Sequence, residues 1–292
     1  MPRVASGRRL VVVFMLLLVA FAHGDAQTRP LKILLTNDDG FEAAGLRLMR
    51  EALIAAGYHV TVSAPVEDFS GAGASMSSGV LKLDDHGSGI WAVHGTPADS
   101  ALVGLFQIMK DDPPDLVVSG TNRGQNLGTS TNSSGTVGAA VTAASYGFPA
   151  VAVSAGISAD AATLTAAYAK AADIARQVIA ALDARRFAGG KLLPDRIVIN
   201  INQPAMAADR LKGLKIAPLS RKGSFTRQYR DTGTAGEVRA QLVPTPVGDE
   251  TNTDLALFAA GYTTITVLDG DWSVDPAGSA APVLDRLSTV IH

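Results

Sequence analysis

A chain of 292 residues with 25 basic and 27 acidic side chains, formal net charge −2, lacks the basic excess by which a protein grips a nucleic-acid backbone. It contains no cysteine, which excludes a disulfide framework, a thiol nucleophile and thiolate metal ligation, and leaves the chemistry to oxygen and nitrogen. Aromatic residues make up only 5% against 47% hydrophobic overall, so the core is built from small aliphatic side chains.

Arg3, Arg8 and Arg9 precede an unbroken apolar run over residues 10–22, which gives way to small and polar residues through Ala26. That order is a cleavable secretory signal peptide, with cleavage after Ala22 or Ala26, and it predicts a periplasmic or secreted protein. The run is roughly 13 residues long against the ~20 needed to span a bilayer, so no permanent membrane anchor is expected. About 265 residues remain, enough for one large α/β domain.

Residues 31–36 are a short run of branched apolar side chains, the pattern of a strand buried on both faces, and it stops at Asn37-Asp38-Asp39-Gly40. A helical pattern follows (Leu46, Met49, Leu53, Ile54, closed by Gly57), so the stretch is a β-loop-α unit with two acids at the strand's carboxyl end, where open α/β sheets bind ligands. Adjacent carboxylates repel unless a cation lies between them or one holds a proton. The alternative is that one of these acids caps the helix.

Residues 59–64 predict a second strand, followed over residues 66–79 by a loop rich in Gly, Ser and Ala that holds Ser70-Gly71. After a short strand at residues 90–93, Thr96 caps a predicted helix with Pro97 at its first position, running to about residue 109; Asp99 complements its dipole. Residues 115–119 predict a buried strand that runs into Gly120-Thr121-Asn122-Arg123-Gly124, where glycines admit close backbone approach and Asn and Arg suit phosphate or sugar. Ser134-Gly135-Thr136 opens a helix of small residues whose free N–H groups favour an anion, or else merely caps it.

Residues 151–154 and 196–200 predict further strands flanking a long amphipathic helix over residues 161–182. Residues 203–250 lose regular periodicity and predict a β-rich excursion, including strand candidates at 214–218 and 238–244, suited to packing on a partner chain. Thr253 then caps a short helix, and residues 264–268 predict a closing strand. The resulting division is a signal at 1–26, a Rossmann-like three-layer core at 27–204, an oligomerisation arm at 205–250, and a segment returning to the core at 251–292.

Taken in order, Asn37-Asp38-Asp39-Gly40, Ser70-Gly71, Gly95-Thr96-Pro97-Ala98-Asp99, Ser119-Gly120-Thr121-Asn122-Arg123-Gly124 and Ser134-Gly135-Thr136-Val137 resemble the SurE family of survival-protein nucleotidases. The resemblance implies a phosphoric monoester hydrolase, dependent on one divalent cation (Mg²⁺ or Mn²⁺) per subunit, acting on nucleoside 5′- and 3′-monophosphates, and assembled as a homodimer or homotetramer. Carried over residue by residue, it implies Asp38, Asp39, Ser70 and Asn122 as metal ligands. Asp38 and Asp39 would be catalytic, and Asn37, Thr96, Asn122, Arg123, Ser134, Gly135 and Thr136 would lie at the substrate. The stretch Thr129-Ser130-Thr131-Asn132-Ser133 departs from the family, which usually carries an acid and an aromatic there. Attack by a water held at the cation and direct attack by Asp38 are both compatible with these residues. The alternative class is an exported nucleotide- or metal-binding module, receiver-like, without turnover; it needs an Asp where Ser119 stands. A Ser/His hydrolase lacks its G-x-S-x-G signature.

Overall fold

The computed structural model describes residues 29–248 and 250–271; the predicted export signal and the end of the chain lie outside them. In chain order come β1 (Lys32–Thr36), α1 (Ala44–Ala55), β2 (His59–Pro65), β3 (Leu83–Asp85), β4 (Ile90–Val93), α2 (Pro97–Val103), β5 (Leu116–Arg123), α3 (Gly135–Ser145), β6 (Ala150–Ala155), α4 (Ala161–Ala184) and β7 (Ile197–Gln203). They are followed by β8 (Leu214–Ile216), β9 (Phe225–Asp231), β10 (Val238–Pro244), α5 (Asp254–Ala259) and β11 (Thr263–Asp269).

β1 shows how the layers form. Leu31, Ile33 and Leu35 point to one face of the sheet and join Met49, Leu53, Ile174 and Ile179 of α1 and α4. Leu34 points to the other face, among Val137, Ala140 and Ala143 of α3 and Leu105 of the π-type turn that continues α2. Each large aliphatic side chain so buried contributes about 1.5–3 kcal/mol. The small residues of α3 let it sit close: a Cβ on Gly138 would stand 2.2 Å from the carbonyl oxygen of Gly73, so the glycine-rich loop after β2 packs directly on this helix.

Nine strands form one sheet in the order β3-β4-β2-β1-β5-β6-β7-β11-β8. β4, β2, β1, β5, β6 and β7 run parallel, while β11 is antiparallel to β7 and parallel to β8. The chain winds outward from β1 through β2 and β4, then returns to lay β5 on β1's other side. The gap between the carboxyl ends of β1 and β5 is therefore the topological switch point, where crevices open in such sheets. The architecture is an α/β Rossmann-like three-layer fold with an added antiparallel hairpin.

Two differences from the predicted elements concern the arm. Leu214–Ile216 is an edge strand of the main sheet, paired in parallel with β11, and so does not belong to the excursion. Only β9 and β10 leave the body, as a hairpin in register from Phe225↔Pro244 to Asp231↔Val238. β5 also runs four residues beyond the predicted strand end, so Asn122 stands on the strand itself, past a register shift against β6. Among the described residues no helix is long and apolar enough to cross a membrane.

Candidate active site

The turn after β1 is built by its own residues. Asn37 is fully buried and donates through Nδ2 to the carbonyl of Gly40 at 2.8 Å, and Gly40 takes φ +100°, a conformation that favours glycine. Asp38, only 3% exposed, accepts the Thr136 hydroxyl at Oδ1 (2.6 Å), and the Phe69 amide donates to its backbone carbonyl (2.8 Å). Gly135 packs against the same side chain: a Cβ there would meet Asp38 Cβ at 2.7 Å and Oδ2 at 2.8 Å, so only glycine lets the start of α3 reach the carboxylate. Asp39 Oδ2 accepts the backbone N–H of Arg123 at 2.8 Å, tying the end of β1 to the end of β5. α1 begins with Ala43 at its cap position and no side-chain cap, so neither acid serves as its cap.

Burial pushes the Asp38 carboxyl above its ordinary range, against the Thr136 hydrogen bonds. Burial and then the Asp38 charge push Asp39 up to about 7. Both ionised forms are thus disfavoured until a positive charge arrives. Asn122 adds a neutral donor atom: its Nδ2 is spent on the Gly124 carbonyl at 2.7 Å, while its Oδ1 is buried without a partner. Asp38, Ser70, Asn122, Arg123 and Ser134 line one cleft of about 350 Å³. Among the described residues no three His, Cys, Asp or Glu side chains gather as metal ligands, so a cation held here draws on neutral oxygens beside the two acids. Such an all-oxygen set fits a hard divalent cation.

The other predicted site residues divide. Ser134 lines the cleft and caps α3, accepting from the Val137 amide at 3.0 Å. Thr136 acts through Asp38. Thr96 has a different duty: its hydroxyl donates to the Ser75 carbonyl (2.6 Å) and accepts from the Asp99 amide (3.1 Å), while Asp99 accepts from Thr96 N, closing a capping box on α2. Burial pushes Asp99 up, but hydrogen bonds from Ser77 and Thr96 outweigh it and hold the carboxyl below its usual range. Neither Thr96 nor Asn37 lines the cleft: the Thr96 hydroxyl is spent on Ser75 and Asp99, while Asn37 commits Nδ2 to Gly40 and keeps Oδ1 buried without a partner.

Several contributors have only faint sequence signals. Asn126, at the cleft, donates to Ser154 Oγ (2.9 Å), its amide donates to Asn202 Oδ1 (2.7 Å), and its carbonyl accepts from Asn200 (2.9 Å) and Asn202 (3.2 Å). Two asparagines at alternate positions of an otherwise apolar buried strand were the available sign. Phe225, Arg227 and Leu242 of the hairpin, with Ile157, complete the cleft's wall.

The chain matches the family described as "Survival protein SurE" over residues 33–226. It belongs to the SurE family. Among similar proteins are "5'-nucleotidase SurE 1" of Burkholderia lata, 34% identical over 264 residues that cover 86% of this chain and 96% of that protein, and "5'-nucleotidase SurE" of Nitratidesulfovibrio vulgaris strain DP4, 37% identical over 255 residues that cover 83% and 95%. The crystal structure of the SurE protein from Aquifex aeolicus superposes with a TM-score of 0.72 at 26% identity, covering 87% of this chain and 99% of that one. The fold of this SurE chain is therefore the one its motifs implied. The receiver-like alternative finds no support in these likenesses, and Ser119 and Ser154 lie buried within β5 and β6.

Proposed function

We propose that this chain is a divalent-metal-dependent phosphomonoesterase that hydrolyses nucleoside 5′- and 3′-monophosphates to nucleoside and phosphate. The observation that carries the reading is the meeting, at the switch point, of two crowded carboxylates with the unpartnered Oδ1 of Asn122, in a SurE chain whose relatives are named 5′-nucleotidases. Asp38, Asp39, Ser70 and Asn122 would hold one Mg²⁺ or Mn²⁺ per subunit. When bound, the cation supplies Lewis-acid polarisation of a phosphoryl oxygen.

The chain's own residues supply the rest. Thr136 fixes the orientation of Asp38, and the Arg123 amide fixes that of Asp39. Ser134 and the start of α3 offer the phosphate a favourable dipole. With Oδ1 bonded to Thr136 and Oδ2 packed against Gly135, Asp38 is held as a ligand, which favours water over Asp38 as the attacking group. The water oxygen bonds to phosphorus as the ester P–O bond breaks, and the departing nucleoside oxygen takes up a proton.

Phosphate release from AMP should stop on chelation and return with added Mg²⁺ or Mn²⁺; release that persists in excess chelator overturns the metal reading. The pH dependence has a defined sign. Asp39, raised to about 7, holds its proton below that pH, and the cation binds only the deprotonated form. At limiting metal, turnover should therefore fall as pH drops below about 7, and raising the metal concentration should move that limb to lower pH. An acid limb indifferent to metal concentration would assign the titration elsewhere.

Export and assembly are part of the same proposal. The arginine-led apolar run supports removal of the first 22 to 26 residues and a periplasmic or secreted enzyme. Exposed Tyr229 and Val238, toward the tip of the hairpin and outside the cleft, support a homodimer or homotetramer in which part of the arm meets another copy. N-terminal sequencing and light scattering of protein from its native source should show a processed N-terminus and more than one chain. An intact Met1 would refute export, and a monomer at micromolar concentration would refute assembly.

A further inference from the structure

Asp38, Ser70 and Asn122 account for only one side of the cleft. The opposite side is supplied by the hairpin arm of the same chain, and its chemistry differs from the rest of the lining. Phe225 and Arg227 alternate onto one face of β9, and Leu242 of β10 stands directly opposite Arg227 on that face. Ile157, after β6, adds a further apolar side chain, and Ile157 and Leu242 are 55% and 63% exposed. The Arg227 guanidinium forms no hydrogen bond or ion pair with any described residue, and its Nη2 lies 3.7 Å from where a Cβ would stand on Gly71, beside Ser70.

The arm is fixed in this position by its root. Ser130 Oγ accepts the Ser224 amide at 2.9 Å, and the Lys222 carbonyl accepts the Thr129 amide at 3.3 Å. A Cβ on Gly128 would stand 1.8 Å from that carbonyl, so the loop after β5 and the arm's root meet only through glycine. The segment beginning at Thr129 and Ser130 is thus the seat of the arm.

A phosphate ion has no use for a half-buried phenyl ring and exposed branched aliphatic side chains. A phosphate ester with a flat, weakly polar leaving group does: its charged end meets Arg123 and Arg227, and its ring meets the apolar wall. We propose that the near face of the hairpin is the recognition wall for the leaving nucleoside, with Phe225 and Leu242, facing Ile157, taking the base, and Arg227 taking the phosphate from the side opposite Asn122. This rests on the phosphatase reading and assigns its substrate recognition to the arm, in the same chain as the acids.

The test compares kcat/KM for AMP and for glycerol 2-phosphate, which carries the phosphate without a ring. Base stacking on an aromatic ring corresponds to about 5- to 150-fold in affinity. Phe225→Ala should lower kcat/KM for AMP about tenfold or more, chiefly through KM, and lower it much less for glycerol 2-phosphate, so that the ratio between the two collapses. Phe225→Leu, which keeps the arm's apolar packing but removes the ring face, should move the ratio in the same direction by a smaller factor. Arg227→Gln should lower both substrates by a similar factor, since both carry the phosphate. Gln228→Ala, on the opposite face of β9, should change neither. An unchanged ratio in Phe225→Ala, or an Arg227→Gln enzyme equal to wild type on both esters, overturns the inference while leaving the phosphatase reading intact. Failure of the wild-type enzyme to release phosphate from either ester overturns the phosphatase reading, and this inference with it.

Discussion

Asp38→Asn and Asp39→Asn should each lose about three orders of magnitude in nucleotide turnover and, at pH 8 without metal, melt at a higher temperature than wild type. The first half follows from chemistry: each substitution removes a ligand and half of the local negative charge, and a thousandfold loss is about 4 kcal/mol of transition-state stabilisation. The second half follows from linkage. Asp39 rises from 3.8 to about 7 on folding, so the folded chain binds more protons than the unfolded one between those values. Its contribution to stability is present at low pH and is lost as pH rises through about 7. At pH 8 the ionised carboxylate opposes folding by up to about 4 kcal/mol at 1.36 kcal/mol per unit, and Asn removes that opposition. Asn also keeps the acceptor oxygens that Thr136 and the Arg123 amide use. Ser70→Ala should lose least activity, because water replaces one neutral ligand, and Asn122→Ala should fall between. Calorimetry of the metal-free proteins decides the stability half: if both variants melt at or below wild type, the acids are structural struts. If both keep chelator-sensitive turnover near wild type, the metal lies elsewhere.

How much of this was legible in the chain depended on how local the determining forces were. β1 and β5 are buried on both faces, so their branched apolar runs announced them, and the carboxylates at the end of β1 announced the site. β3 escaped notice because it is a three-residue antiparallel edge strand ending in two aspartates, with no apolar run of its own. β8 was grouped with the arm because its parallel partner β11 follows only after the whole hairpin, and no local pattern reports a pairing that distant. Residue chemistry located the acids and Asn122, but it did not separate cleft residues from struts. Asn37 and Thr96 share composition and neighbourhood with the site, yet neither lines the cleft, and the Asn37 Nδ2 and the Thr96 hydroxyl are spent on nearby backbone groups. The opposite wall was illegible for another reason. Phe225 and Arg227 sit in a polar, exposed hairpin, and only the contacts at its root place them over a cleft some hundred residues earlier in the chain.

Asp254 is where that distant placement is secured, and its removal should be the most destabilising single change outside the apolar core. It is fully buried, and its carboxylate accepts three backbone amides: Gly128 at 2.8 Å on Oδ2, and Ser220 and Leu255 at 2.7 Å each on Oδ1. One side chain thereby joins the loop after β5, the root of the hairpin and the first turn of α5. Asp254→Ala leaves three buried N–H groups without an acceptor, at about 1 kcal/mol or more each, for a loss of roughly 3 kcal/mol. In a domain of this size that corresponds to a fall of about 6–12 °C in melting temperature. Burial pushes the Asp254 carboxyl above its ordinary range, against the pull of these hydrogen bonds, so the charge itself is disfavoured. Asp254→Asn relieves that part but turns an amide donor toward at least one N–H group, and should fall between wild type and Ala. Because the acids after β1 do not touch Asp254, the Ala variant should keep its chelator sensitivity and its metal affinity below the transition. Its activity loss should appear as a raised KM for AMP, since the loop and arm root that Asp254 joins carry the far wall of the cleft. A melting temperature within about 2 °C of wild type would mean that water satisfies the three amides, and that the arm is held by Ser130 and Gly128 without it.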